Sequence, residues 1–171
     1  MKDLKAEIRD VPDFPKKGIL FKDITTLLQC GPAFRQVIDV LGERYQGKKI
    51  DAVVGVESRG FIFASALAYR LKTGMVPVRK PGKLPAATFL ASYQLEYGED
   101  ELEIHRDAFR EGARILIVDD LLATGGTCLA TAELVEKLKG EIIEIAFLIE
   151  LTFLKGREKL ERYPVFSLLE Y

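Results

Sequence analysis

Thirteen residues, Ile115 to Thr127, constrain this chain more than any others: I-L-I-V-D-D-L-L-A-T-G-G-T. Four β-favouring apolar residues run straight into two adjacent carboxylates, Asp119 and Asp120. A turn of small residues follows (Ala123, Thr124, Gly125, Gly126, Thr127), and then a helix-like segment from Leu129 to Leu138. A strand feeding a glycine-rich turn and a helix start aims backbone N–H groups at one spot, where the helix dipole also favours negative charge. Glycine lets that backbone approach a phosphate because no Cβ intervenes. The stretch therefore reads as an anion cradle at the end of a buried strand. It is not a Walker A loop, because Thr127 follows Gly126 with no lysine between them. G-x-G-x-x-G, the dinucleotide fingerprint, is absent as well. Two adjacent acids at a strand end repel each other and lose hydration. They read either as turn or helix caps, or as acceptors for vicinal hydroxyls or support for a metal beside the held phosphate.

Other segments repeat the strand-then-helix order. Ile50 to Val56 is a run of the buried-strand type and ends in Glu57-Ser58-Arg59-Gly60. Phe61 to Leu71 is apolar almost all round, so a well-buried helix is expected, stopped by Gly74. Met75 to Arg79 predicts a short strand, an edge or irregular one because of Pro77. Ala113 to Val118, Glu141 to Glu150 and Val165 to Leu169 predict three more strands. Such alternation implies βαβ units and a mostly parallel central sheet flanked by helices, an α/β fold. Ligands of such sheets bind at the carboxyl ends of the strands. Glu57-Ser58-Arg59-Gly60, Arg79-Lys80 and Asp119-Asp120 each follow a predicted strand, so all three are expected at one edge.

The remaining segments are less regular. Leu4 and Ile8, one helical turn apart, predict a short surface helix over Met1 to Asp10. Pro12, Pro15 and Gly18 predict a shaped loop, followed by a short strand or turn at Ile19 to Ile24. Thr25 or Thr26 is a candidate N-cap, and Ala33 to Tyr45 has helical periodicity ending at Gly47. Lys80 to Arg110 is too long for a structureless loop in a compact domain. It reads as a hairpin-like lid, with Tyr93, Glu96, Tyr97 and Gly98 around its tip. His105 sits among Glu103, Arg106 and Asp107, which suggests a salt-linked base for that lid. Arg79, Lys80 and Lys83 flank Pro81-Gly82 as a small basic cluster suited to clamping a pyrophosphate.

At 171 residues, one domain that buries on the order of 70% of its unfolded surface is expected, with no need of a disulfide or metal for stability. Cys30 and Cys128 read as free thiols, Cys128 as packing. Net charge is −1 with no block of like charges, which argues against general nucleic-acid binding. An apolar leader and any apolar run near 18 residues are lacking, so a cytoplasmic protein without a membrane span is expected.

Taken together, the thirteen residues resemble the phosphoribosyl-pyrophosphate signature of type I phosphoribosyltransferases. Further stretches resemble the adenine-using branch of that family, in family order from about Val11 to the C-terminus: D-F-P-x-x-G-I-L-F-K-D-I, E-S-R-G-F, V-R-K-P-G-K-L-P, S-Y-x-L-E-Y-G, L-E-I-H and E-L-T-x-L-K-G-R-E-K-L. The resemblance implies the type I phosphoribosyltransferase fold as a single domain over 1–171. It would carry a small N-terminal hood (about 1–32 plus the 151–156 region) and a long lid loop (about 80–110). It implies transfer of 5-phosphoribosyl from its 1-pyrophosphate to N9 of adenine, giving AMP and pyrophosphate. Asp119 and Asp120 would bind the ribose hydroxyls, and Ala123, Thr124, Gly125, Gly126 and Thr127 the 5′-phosphate. Ser58 and Arg59 would bind pyrophosphate, helped by Arg79, Lys80 and Lys83. Leu20, Phe21, Lys22, Arg59 and Leu151 would bind adenine, and Glu96 would transfer a proton at N7. Mg²⁺ would be held by substrate oxygens and waters, with no direct protein ligand, and the assembly would be a homodimer. Lys22 stands where the family often has arginine, and the N-terminus is short for that family. A xanthine or 6-oxopurine phosphoribosyltransferase is the nearest alternative. A phosphoribosyl-pyrophosphate-sensing transcriptional regulator is the alternative of another class, although neither a basic face nor a DNA-binding segment is evident.

Overall fold

The computed structural model describes residues 3–94 and 99–171. The chain divides into two compact units, 1–44 and 45–171.

In the first unit, β1 (Arg9–Pro12) pairs antiparallel with β2 (Leu20–Asp23), from Arg9 opposite Asp23 to Pro12 opposite Leu20. The surface helix expected over Met1 to Asp10 is absent among the described residues 3–10. Residues 4–7 make a turn and Arg9 enters the hairpin. Leu4 and Ile8 are buried, but a single helical spacing cannot outweigh strand pairing. Helix α1 (Thr25–Gln29) starts from Ile24, not from a threonine cap; Asp23 Oδ1 accepts the Thr25 N–H instead. Helix α2 (Gly31–Tyr45) begins two residues before the predicted start.

The second unit is built on a five-stranded parallel sheet in the order β4-β3-β7-β8-β9. These strands are β3 (Ala52–Val56), β4 (Gly74–Val78), β7 (Arg114–Leu122), β8 (Glu141–Glu150) and β9 (Val165–Glu170). Pro77 lies on the edge strand, where its missing N–H costs no ladder bond. Helix α3 (Gly60–Leu71) follows β3, and α4 (Gly126–Lys137) follows β7.

Side-chain alternation assigns these two helices to opposite faces of the sheet. Val54, Val56, Ile115 and Ile117 join Leu134 and Val135 of α4 in one core cluster. Gly55, one residue out of phase, lies so close to α3 that a Cβ there would come within 2.7 Å of Ala64. Each fully buried Phe, Leu, Ile or Val of this core contributes about 1.5–3 kcal/mol. Helix α3 is less buried than its composition suggests. Phe63, Ala64 and Leu67 are covered, but Ile62 is exposed and Tyr69 is 88% exposed. Its end is set by Lys72, whose φ is +58°, and Gly74 already belongs to the next strand.

The Lys80 to Arg110 excursion contains a two-stranded antiparallel sheet, β5 (Thr88–Gln94) with β6 (Glu99–His105). It is not a detached flap, because Ala91, Leu102 and Ile104 belong to the same core cluster as α4. Among the described residues His105 makes no ion pair; its Nε2 accepts the Ala86 N–H at 3.4 Å. Among the described residues, no helix is long and apolar enough to cross a membrane.

Candidate active site

The sheet order dictates where a ligand fits. From β3 the chain crosses to β4 on one side, and β7 lies on the other side of β3. The connections leaving β3 and β7 therefore part to opposite faces, which opens a crevice at the carboxyl ends of these two strands. Pairing between β3 and β7 ends at Gly55–Val118, while β7 continues beside β8 to Leu122. Asp119 and Asp120 thus lie within the strand, not beyond its end, with their backbone partly released on the β3 side.

A cavity of about 240 Å³ fills this crevice. Ser58 and Arg59 line it from the turn after β3; Asp119, Asp120 and all five predicted residues of the 123–127 loop line it from the β7 side. Gly125 has φ +80° and caps α4, so the first turn of that helix opens into the cavity. Its own Cβ would meet the Gly156 carbonyl oxygen at 2.5 Å, so both the backbone angle and the packing exclude a side chain.

Arg59 Nε stands 3.0 Å from Asp120 Oδ2, and the Asp120 N–H donates to Asp119 Oδ1 at 2.8 Å. Burial and the neighbouring Asp120 push the Asp119 carboxyl well above its ordinary range. Burial raises Asp120 as well, although Arg59 opposes this. A pair so situated gains from ligand hydroxyl donors, which replace the hydration it has lost. Cys128, at the same wall, is buried, and its thiol is pushed up by burial and then by Asp119. It is packing, as its sequence context suggests.

Arg79, Lys80 and Lys83 do come together, but around Glu57 and not on the cavity wall. Arg79 Nε lies 3.3 Å from Glu57 Oε2, the Lys80 N–H donates to Oε2 at 3.0 Å, and Lys83 Nζ reaches Oε1 at 2.6 Å. Burial pushes the Glu57 carboxyl up, but Lys83, the Lys80 N–H and Arg79 together outweigh it and hold it at about 2. Lys80 Nζ is engaged by Asp100 and Tyr93 Oη. Glu103 receives the Lys83 and Leu84 N–H groups at 3.0 and 2.9 Å and so shapes the Pro81-Gly82 turn.

Glu57 also lines the cavity. Sequence reading passed over it as a site residue, although E-S-R-G followed by a basic cluster offered a signal. Leu151 follows β8, where its N–H donates to the Leu122 carbonyl at 2.9 Å. In the first unit, Phe21 packs edge-on against Phe14 with centroids 5.1 Å apart, Lys22 Nζ lies 2.6 Å from Asp10, and Leu20 is exposed. Glu96, Tyr97 and Gly98 lie outside the described residues.

Residues 23–170 match the model of the phosphoribosyl transferase domain. The chain belongs to this family. It is 64% identical over 169 residues to an adenine phosphoribosyltransferase of Chloroflexus aurantiacus, covering 99% of this chain and 98% of that one. The structure resembles the adenine phosphoribosyltransferase of Thermoanaerobacter pseudethanolicus with a TM-score of 0.96 at 56% identity, covering 99% and 98% of the two chains. It also resembles the Saccharomyces cerevisiae enzyme with a TM-score of 0.92 at 46% identity, covering 97% and 96%. That enzyme was solved with adenine and an imino-altritol bisphosphate. The type I phosphoribosyltransferase fold read from the signature is therefore correct, and the family match spans both compact units.

Proposed function

We propose that this chain transfers the 5-phosphoribosyl group of 5-phosphoribosyl 1-pyrophosphate to N9 of adenine, forming AMP and pyrophosphate, a purine-salvage reaction. One observation carries the donor: a half-buried Asp119 beside a buried Asp120 and a glycine-backed helix N-terminus face the same cavity. The acceptor rests on the full-length likeness to adenine enzymes.

In this reading the 123–127 loop takes the 5′-monophosphate on its backbone N–H groups. Asp119 and Asp120 accept hydrogen bonds from the two ribose hydroxyls, and as carboxylates they favour positive charge growing at C1′. Ser58 and Arg59 take the leaving pyrophosphate. Arg79, Lys80 and Lys83 assist at the expense of their pairing with Glu57 and Asp100. Base recognition is assigned to Leu20, Phe21 and Lys22, with Phe21 against the ring and main-chain groups reading the polar edge. Leu151 and Arg59 are assigned to the base as well. Glu96 donates a proton to N7 as N9 attacks, which contributes about 10²–10⁴-fold. The lid, about 80–110, excludes water from the reacting carbon.

Two carboxylates on the cavity floor are hard oxygen donors that suit Mg²⁺. Asp119 and Asp120 would hold it through water while the substrate supplies most of its ligands, and when bound it neutralises pyrophosphate charge. A cytoplasmic homodimer, without nucleic-acid or membrane partners, completes the proposal.

The test is turnover with each base alone, in the presence of phosphoribosyl pyrophosphate and Mg²⁺. Adenine is expected to be converted at a rate far above hypoxanthine, guanine or xanthine. Preference for a 6-oxopurine would sink the base assignment and leave the donor assignment standing. Specific DNA binding at moderate salt would instead favour the regulatory reading.

A further inference from the structure

The phosphate loop is backed by a second, distant piece of chain. Gly156 starts a short 3₁₀ segment, Gly156–Leu160, and is itself buried. A Cβ on Gly156 would overlap the Ala123 carbonyl oxygen and stand 3.0 Å from the Gly125 nitrogen. Two glycines therefore meet backbone to backbone, one in the loop and one behind it. The position of Gly156 sets how far the loop can retreat from the cavity.

Arg157, the next residue, is fastened on three sides. Its Nε donates to Glu150 Oε1 at 3.0 Å, and its Nη2 pairs with Glu150 Oε2. Its Nη1 donates to the Val165 carbonyl at 2.9 Å, and Ser167 Oγ donates to Glu150 Oε2 at 2.6 Å. Glu150 is 5% exposed, and Arg157 and Ser167 hold its carboxyl below the usual range against the effect of burial. Its strand position is directly opposite Leu122, the residue before the loop begins. A bidentate guanidinium–carboxylate pair at the root of the loop thus fixes the segment that presses on the loop's back.

We propose that Arg157 and Glu150 are positioning residues for binding of a sugar 5-phosphate, acting through the contact of Gly156 with Ala123 and Gly125. The proposal rests on the reading of 123–127 as the monophosphate cradle. An arginine fork bridging two strands holds a fixed distance that a flexible ammonium does not. Displacement of the loop backbone by a fraction of an ångström removes several N–H···O contacts together, since all of them converge on one anion.

The experiment measures calorimetric dissociation constants of ribose 5-phosphate and, separately, pyrophosphate for the full-length chain and its variants. Arg157→Met is expected to weaken ribose 5-phosphate by about tenfold while leaving pyrophosphate within about twofold. Arg157→Lys, which keeps the charge and loses the fork, is expected to fall between the two. Combining Arg157→Met with Glu150→Gln should add little to either alone. Should Arg157→Met fail to fold, Ser167→Ala removes one strand of the same network and should weaken ribose 5-phosphate by about threefold. Equal weakening of both ligands would mark a general loss of structure and overturn the proposal. So would unchanged ribose 5-phosphate binding in a folded variant, or no binding by the parent chain. Parent binding without adenine turnover would remove the base assignment alone and leave the brace intact.

Discussion

The two regions proposed to bind anions, the 123–127 loop and the Arg79–Lys83 turn, are built on opposite plans. The 123–127 loop has no cation of its own; it offers backbone N–H groups, a helix start and Gly125, where backbone angle and packing exclude a side chain. The Arg79–Lys83 turn has three cations, and all three are engaged by Glu57 or Asp100. One region is preorganised and pays little to bind. The other must exchange an internal acid for an external one. A group that binds throughout the reaction suits the first plan, and a group that has to leave suits the second, because release is helped by an internal carboxylate waiting for the cations.

This contrast is open to direct attack. The largest effect is expected for Glu96→Gln, which should lower kcat by about 10²–10⁴-fold with little change in adenine affinity. Turnover within about fivefold of the parent would remove Glu96 from the chemistry and leave the hairpin with a binding role only. Next, Gly125→Val should cut kcat/KM for the ribosyl donor by about 10²–10³-fold, as several aligned donors are lost at once. A tolerated valine would show that the loop is not preorganised by its backing. Glu57→Gln should act in the other direction on pyrophosphate and bind it about three- to fivefold more tightly, roughly 1 kcal/mol or less for half-exposed, screened ion pairs. Weaker pyrophosphate binding would mean that Glu57 aims the cations and does not withhold them.

The smallest effect concerns stability. Asp119 holds its proton more tightly in the folded than in the unfolded chain, so its ionised form costs stability as pH rises through the raised value. Asp119→Asn should therefore melt about 2–4 °C higher at pH 8, and the advantage should shrink on acidification. Donor binding by the same variant should fall. An advantage that grew at low pH would contradict the raised carboxyl.

Most of the second unit could be read from local pattern. Ile115 to Val118 is a strand because unbroken β-favouring apolar residues suit a sheet covered on both faces, and α3 and α4 do cover it. The glycine pair and the acids lie within one turn of each other, so their shared cavity was implicit in their spacing. Other features were not local. Leu4 and Ile8 carry one helical spacing, which the β1–β2 hairpin overrides. Tyr69 lies in an apolar segment yet is exposed, since periodicity counts apolar residues without showing which face has a neighbour.

Local order along the chain already marks an anion cradle and its family: a strand, two acids, a glycine loop and a helix start, which together resemble the phosphoribosyltransferase signature. The folded chain adds what stands behind each group. Gly156 backs the loop, Glu150 and Arg157 hold Gly156, Glu57 holds Arg79 and Lys83, and Asp100 holds Lys80. Bonding within a turn is written in neighbouring residues, whereas close backbone packing and buried ion pairs join segments whose separation along the chain carries no record of their contact.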